Sequence, residues 1–150
     1  MRQPSSPRIL VVEDEALIAM EIEAQLLRLR YVVLGPLAAL DEALEAARSL
    51  SMDGALLDVN IKGGKIFPVA DVLLARGIPV ILSTGVGFEH LPPHLRVVTC
   101  LRKPFSARQL EAAVTEVFAD SETSDLTYPV QGTIMEQRRY RPAPAQAREH

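Results

Sequence analysis

Three carboxylates, a hydroxyl and an ammonium stand at comparable places along this chain. Glu13 and Asp14 follow the apolar run Arg8–Val12, and Asp58 closes the run Ala55–Leu57. Thr84 sits in Ser83-Thr84-Gly85 just beyond Ile78–Leu82, and Lys103 in Arg102-Lys103-Pro104 just beyond Val97–Leu101. If those runs are neighbouring strands about 4.8 Å apart, the acids crowd onto one rim. Two carboxylates roughly 5 Å apart repel by about 3 kcal/mol at an effective dielectric near 20. Three of them either protonate one member or hold a cation. Oxygen-only ligands with open coordination positions suit Mg²⁺, which keeps waters and favours phosphate as a partner. A lysine and a hydroxyl beside such an ion trap the three oxygens of a phosphoryl group. An aspartate in that setting can be the nucleophile and form an aspartyl phosphate. Singly, each residue has an ordinary explanation: acids are favoured at helix starts, and Asp58 alone could be a turn residue. Their coincidence at successive run ends is the informative observation.

The elements that must position these groups are legible as short apolar runs alternating with helix-period segments. Arg8–Val12, Tyr31–Leu34, Ala55–Leu57, Ile78–Leu82 and Val97–Leu101 are continuously apolar, as strands buried on both faces of a parallel sheet are. The second is expected to stop at Gly35-Pro36 and brings no chemistry to the rim. In Glu15–Arg30, Leu17, Met20, Ala24 and Leu27 recur at helical spacing, with Glu21, Glu23 and Arg28 off that stripe. Ala43, Leu44, Ala47 and Leu50 do the same in Asp41–Leu50. A third helix is expected from near Pro68 to Gly77. The last helix opens at Ser106, where Ser106 and Gln109 fit a capping box. Gly85–Arg96 carries two glycines and Pro92-Pro93, which leaves room for a helix of a turn or two at most. The alternation specifies an α/β fold, a doubly wound five-stranded parallel sheet with helices on both faces and a short or irregular fourth helix. In such folds the ligand site lies beyond the carboxyl ends of the strands, where the acids, Thr84 and Lys103 stand.

Composition narrows the function classes. The chain has 150 residues, 48% of them hydrophobic, which suits one domain of ordinary size. Its net charge of −3, an aromatic content of 5% and the lack of Trp argue against nucleic acid or an anionic membrane as the main partner. No stretch approaches the roughly 20 apolar residues of a membrane span, and the expected location is cytoplasmic. Cys100 is the only cysteine, so there is no internal disulfide and no cysteine-based zinc site. His90 and His94 are separated by Pro92-Pro93, which denies them a helical metal-binding face, and both read as loop residues.

Ile9–Glu15 (ILVVEDE), Leu56–Asn60 (LLDVN), Pro79–Thr84 (PVILST) and Leu101–Phe105 (LRKPF) together resemble the receiver domain of bacterial two-component response regulators. The resemblance spans about residues 7–120. It implies a flavodoxin-like strand order 2-1-3-4-5 and Asp58 as phosphoacceptor, with Thr84 and Lys103 on the phosphoryl oxygens. It implies Mg²⁺ bound by Asp14, Asp58 and the Asn60 carbonyl, with Glu13 acting through water, and a cis Lys103–Pro104 bond. The implied partners are a histidine kinase or histidine phosphotransferase and a downstream effector protein, with a homodimer left open. No enzymatic turnover is implied beyond self-phosphorylation and self-dephosphorylation.

Two positions depart from the family pattern. Receivers commonly carry Tyr or Phe three residues before the lysine, where this chain has Cys100. Leu82–Gly87 (LSTGVG), with Phe67–Asp71, resembles a variant subgroup of stand-alone receivers bearing a Phe-Ala-Thr-Gly-Tyr-like motif, but Val86 replaces its aromatic. A haloacid-dehalogenase-like phosphatase with an aspartyl nucleophile is the alternative from the enzyme class, and Asn60 stands where it needs a second acid. A flavin site fails because three rim carboxylates would repel the cofactor's phosphate. The expected organisation is an N-terminal extension 1–7, the receiver domain 8–120 and a C-terminal tail 121–150. That tail reads as flexible or as a docking segment through Leu126, Tyr128, Val130, Ile134 and Met135. With no helix-turn-helix after the domain, direct DNA binding is not expected.

Overall fold

The computed structural model of the protein describes residues 6–119; most of the N-terminal extension and the tail 121–150 lie outside the described residues. Five strands, β1 (Arg8–Val12), β2 (Val32–Leu37), β3 (Gly54–Asp58), β4 (Val80–Thr84) and β5 (Thr99–Arg102), form one sheet in the order β2-β1-β3-β4-β5. All four pairings are parallel. Because side chains alternate across a strand, each strand feeds two cores. Leu10, Val12, Ala55, Leu57, Val80 and Leu82 face the helices α2 (Leu40–Ser49) and α3 (Phe67–Ala75). Ile9, Val11, Leu56 and Ile81 face α1 (Ala16–Arg28) and α4 (Ala107–Phe118). The expected doubly wound architecture and strand order are those observed.

Local chemistry explains two of the element ends, the start of α4 and the end of α3. Ser106 Oγ accepts from the Gln109 backbone N–H at 3.0 Å while Gln109 Oε1 accepts from the Ser106 N–H at 2.8 Å, the reciprocal cap anticipated for α4. After α3 the chain turns at Gly77, whose φ of +78° lies in the left-handed region that glycine enters freely. Lys103–Pro104 is cis, as the family resemblance implied, and Gly35–Pro36 is cis as well.

Three expectations are corrected. β2 does not stop at Gly35-Pro36 but runs through both to Leu37, with a register shift opposite β1. It is an edge strand, where a proline's missing N–H breaks no ladder on the solvent side. In α1 the stripe Leu17, Met20, Ala24 and Leu27 faces outward, and Ala19, Ile22 and Leu26 face the sheet. In α2, Ala43 and Ala47 are buried as expected, but Ala46 completes the buried face and Leu50 is exposed. A feature not anticipated is a small antiparallel hairpin, Asn60–Ile61 with Gly64–Lys65, directly after β3.

The fourth connection contains only two 3₁₀ turns, Phe88–His90 and Pro93–Leu95, consistent with its glycines and prolines. It is nevertheless anchored, since Leu91, Leu95 and Val98 are buried in the core beneath α2 and α3.

Candidate functional site

The carboxyl ends of β1, β3, β4 and β5 lie along one edge of the sheet, and the chemistry-bearing residues follow them there. Glu13 comes straight after β1, and its backbone N–H donates to the Leu37 carbonyl at 2.9 Å, which ties it to the end of β2. Asp58 is the last residue of β3, in register with Ser83 of β4, and the Val59 N–H donates to the Ser83 carbonyl at 2.9 Å. Thr84 ends β4, and its carbonyl accepts from the Lys103 N–H at 2.8 Å. Parallel register therefore places the lysine and threonine backbones side by side.

Side chains then converge. One carboxylate oxygen from each of Glu13, Asp14 and Asp58 lies within 4.8 Å of the others. Lys103 Nζ is 3.2 Å from Asp58 Oδ2 and 3.2 Å from Glu13 Oε1, a two-carboxylate ion pair reached from the far end of β5. Glu13 and Asp58 are almost wholly enclosed, at 2% and 5% exposure, whereas Asp14 faces solvent. Glu13 Oε2 also accepts from the Glu15 backbone N–H at 3.0 Å. Glu13 Oε1 is buried with no hydrogen bond of proper geometry among the described residues, and the Lys103 ammonium faces it at ion-pair distance.

The electrostatics follow from that enclosure. Burial, reinforced by the Asp58 charge, pushes the Glu13 carboxyl from 4.5 up to about 7, against the opposing pull of the Glu15 N–H and Lys103. Burial also raises Asp58, and Lys103 resists it. For Lys103, burial alone would lower the ammonium's pKa, but Asp58 and Glu13 outweigh it and the net direction is up. One lysine cannot neutralise three acids, so the cluster holds spare negative charge. Such a donor set fits a hard divalent cation, because Mg²⁺ takes carboxylate and carbonyl oxygens and keeps waters at its other positions.

The remaining sequence-selected residues sit nearby with different partners. Asn60 is exposed in the hairpin, its backbone close to Asp58 in sequence, and its Oδ1 accepts from Lys65 Nζ. Sequence reading missed Lys65, although Gly63-Gly64, both at positive φ, is the local turn signal for the hairpin that carries it. Thr84 is buried, and its Oγ1 accepts from the Val86 N–H at 3.2 Å. Ser83 beside it is wholly enclosed, its hydroxyl unpartnered. Cys100 lies half-buried against the core on the α2–α3 side, and burial pushes its thiol up to about 11, the protonated, unreactive form at neutral pH. His94 Nε2 lies 2.8 Å from Asp71 Oδ1 of α3, and His90 lies 3.9 Å from Glu89, so the two histidines share no site. Among the described residues, Glu13, Asp14 and Asp58 are the one group of three or more His, Cys, Asp or Glu able to hold a metal. No helix among those residues is long and apolar enough to cross a membrane.

No family model and no curated protein matches the chain, but solved structures do. The solution structure of SdrG from Sphingomonas melonis Fr1 is 36% identical, matches 75% of this chain and 97% of that one, and superposes with a TM-score of 0.66. The BeF3-activated conformation of SdrG, attributed to Pseudomonas melonis Fr1, is 35% identical over the same shares, with a TM-score of 0.63. The receiver domain of a sensor histidine kinase from Pseudomonas aeruginosa PAO1, with a magnesium ion in its active-site cleft, is 24% identical. It matches 77% of this chain and 99% of that domain, with a TM-score of 0.67.

Proposed function

Because the chain belongs to the response regulator receiver family, on its 36% identity over 97% of SdrG, a single-domain receiver, we propose that Asp58 accepts a phosphoryl group from a phosphohistidine. The donor is a histidine kinase or histidine phosphotransferase, and the product is an altered protein-binding surface that passes the signal to an effector. One observation carries the reading: Asp58 ends a central strand with Lys103 Nζ 3.2 Å from its Oδ2 and two further acids beside it.

In the transfer, an Asp58 carboxylate oxygen bonds to phosphorus as the P–N bond to the donor imidazole breaks, and the imidazole takes up a proton. Lys103 balances charge on Asp58 and on the incoming oxygens, and Thr84 supplies a hydroxyl to one of them. Glu13, Asp14, Asp58 and the Asn60 carbonyl would hold Mg²⁺, which neutralises the phosphoryl oxygens when bound. Phosphorylation adds roughly two negative charges beside Thr84. The segment Gly85–Arg96 is the element that responds, since Cys100 leaves no aromatic to rotate inward. The motif Leu82–Gly87 supports placing the chain near the variant stand-alone subgroup, within a receiver unit of 8–120 located in the cytoplasm.

Incubation with acetyl phosphate or a phosphorylated kinase should label the wild type and leave Asp58→Asn unlabelled. Label retained on Asp58→Asn overturns the assignment. Hydrolysis of a generic phosphate ester with turnover would instead favour the haloacid-dehalogenase-like reading. Beryllofluoride should move backbone resonances across 84–98 in the wild type and not in Asp58→Asn.

A further inference from the structure

Three of the large apolar side chains exposed on the described surface share one face of one helix. Leu17 is 76% exposed, Met20 61% and Leu27 54%, and Ala24 between them is exposed as well. The spacing 17, 20, 24, 27 draws a continuous stripe along α1, opposite the face that Ala19, Ile22 and Leu26 bury against the sheet. An amphipathic helix normally turns charge outward, so an apolar outer stripe signals an absent partner. Acids flank it: Glu21 is exposed and Glu23 half-buried, and neither forms an ion pair among the described residues.

We propose that this face is covered by the chain's own C-terminal segment, residues 126–141. Three arguments select it. The first is position. Arg28 Nη2 of α1 bonds Glu111 Oε1 of α4 at 2.9 Å, and Phe118 in the last turn of α4 packs edge-on against Tyr31 just past the end of α1, with ring centroids 6.3 Å apart. The chain therefore leaves α4 beside the end of α1 that carries Leu27. The seven residue steps from Ala119 to Leu126 can span up to about 23 Å, more than the ~15 Å from Leu27 to Leu17.

The second is chemistry. Leu126, Tyr128, Val130, Ile134 and Met135 supply apolar groups for the stripe, and Arg138, Arg139 and Arg141 supply the charge that Glu21 and Glu23 lack. The third is size. A strip about 15 Å by 10 Å is on the order of 150 Å², far short of the ~800 Å² per partner that a stable dimer buries. A tethered segment needs no such area, because a short linker holds it at an effective concentration in the millimolar range.

The test uses the full chain with a nitroxide on Ile134→Cys and Cys100→Ala to leave a single label site, followed by amide NMR. Residues 17, 20, 24 and 27 should lose intensity while α2 and α3 keep theirs, and Met20→Asp or Glu21→Lys should restore the signals. A label-free check is the triple replacement Leu126→Ser, Val130→Ser and Ile134→Ser, which should speed amide exchange and shift resonances on the outer face of α1. The proposal is overturned if no loss is seen, if the loss maps elsewhere, or if the α1 substitutions leave it unchanged. It is equally overturned if the loss appears only between chains, in mixtures of spin-labelled and isotope-labelled protein, which would assign the face to a second copy.

Discussion

On one side of the rim, Glu13, Asp58 and Lys103 are enclosed and cross-linked, each carboxylate meeting the same ammonium at 3.2 Å. On the other, the chain beyond Thr84 passes through Gly85 and Val86, both exposed, into two isolated 3₁₀ turns. There the hydrogen bonds are mostly the segment's own: Arg96 donates through Nε to the Leu91 carbonyl at 3.0 Å and through Nη2 to the Glu89 carbonyl at 2.9 Å. The acid side has its geometry imposed by three parallel strands. The glycine side is held by a few buried leucines and a surface hydrogen bond between His94 and Asp71. The contrast separates a tightly cross-linked centre from a loosely bonded segment, the element on which the proposed switch would act.

The comparison breaks most visibly at Lys103. Removing the one cation that compensates Asp58 and Glu13 should slow labelling from acetyl phosphate by about a hundredfold or more, the scale of losing a charge-stabilising donor. Lys103→Ala should still fold, with the two acids taking up protons; time courses of phosphoprotein formation read the rate directly. Next comes Leu95, fully buried under the otherwise loosely bonded segment. Leu95→Ala should cost about 3 kcal/mol in urea unfolding. A loss below about 1 kcal/mol, the range of ordinary surface and edge changes, would show the segment is not anchored.

A third test uses pH. Because the Glu13 pKa rises from 4.5 in the unfolded chain to about 7 in the fold, the folded state keeps a proton in that window that the unfolded state has shed. Stability without metal should therefore fall as pH rises from about 4.5 to about 7. Magnesium competes with that proton, so its affinity should climb over the upper part of the same window and level off above it. Urea melts and magnesium titrations on both sides of the window check the sign. The smallest effect is expected at Gly85, where an added Cβ would meet nothing within 4 Å and φ is not positive. Gly85→Ala should change stability by less than about 0.5 kcal/mol. A large loss there in thermal melts would mean the glycine side is as tightly built as the acid side.

Residue types and their order were enough to determine the layers and which side chains share the rim. Short apolar runs alternating with helix-period segments read as strands covered on both faces, and parallel strands place their carboxyl ends on one edge whatever the details of packing. Glu13, Asp14, Asp58 and Lys103 were therefore bound to meet, and they do. Which face of α1 turns inward was beyond the sequence. Leu17-Met20-Ala24-Leu27 and Ala19-Ile22-Leu26 both have helical spacing, and the stripe with the larger side chains looks inward on composition alone. In the fold, Ile22 and Leu26 pack with Ile9 and Val11 of β1, Leu56 of β3 and the buried face of α4, and the other stripe is left outside. The continuation of β2 through Gly35-Pro36 and the His94–Asp71 pair were decided the same way. Each depends on a neighbour remote in the chain, and local periodicity carries no information about neighbours.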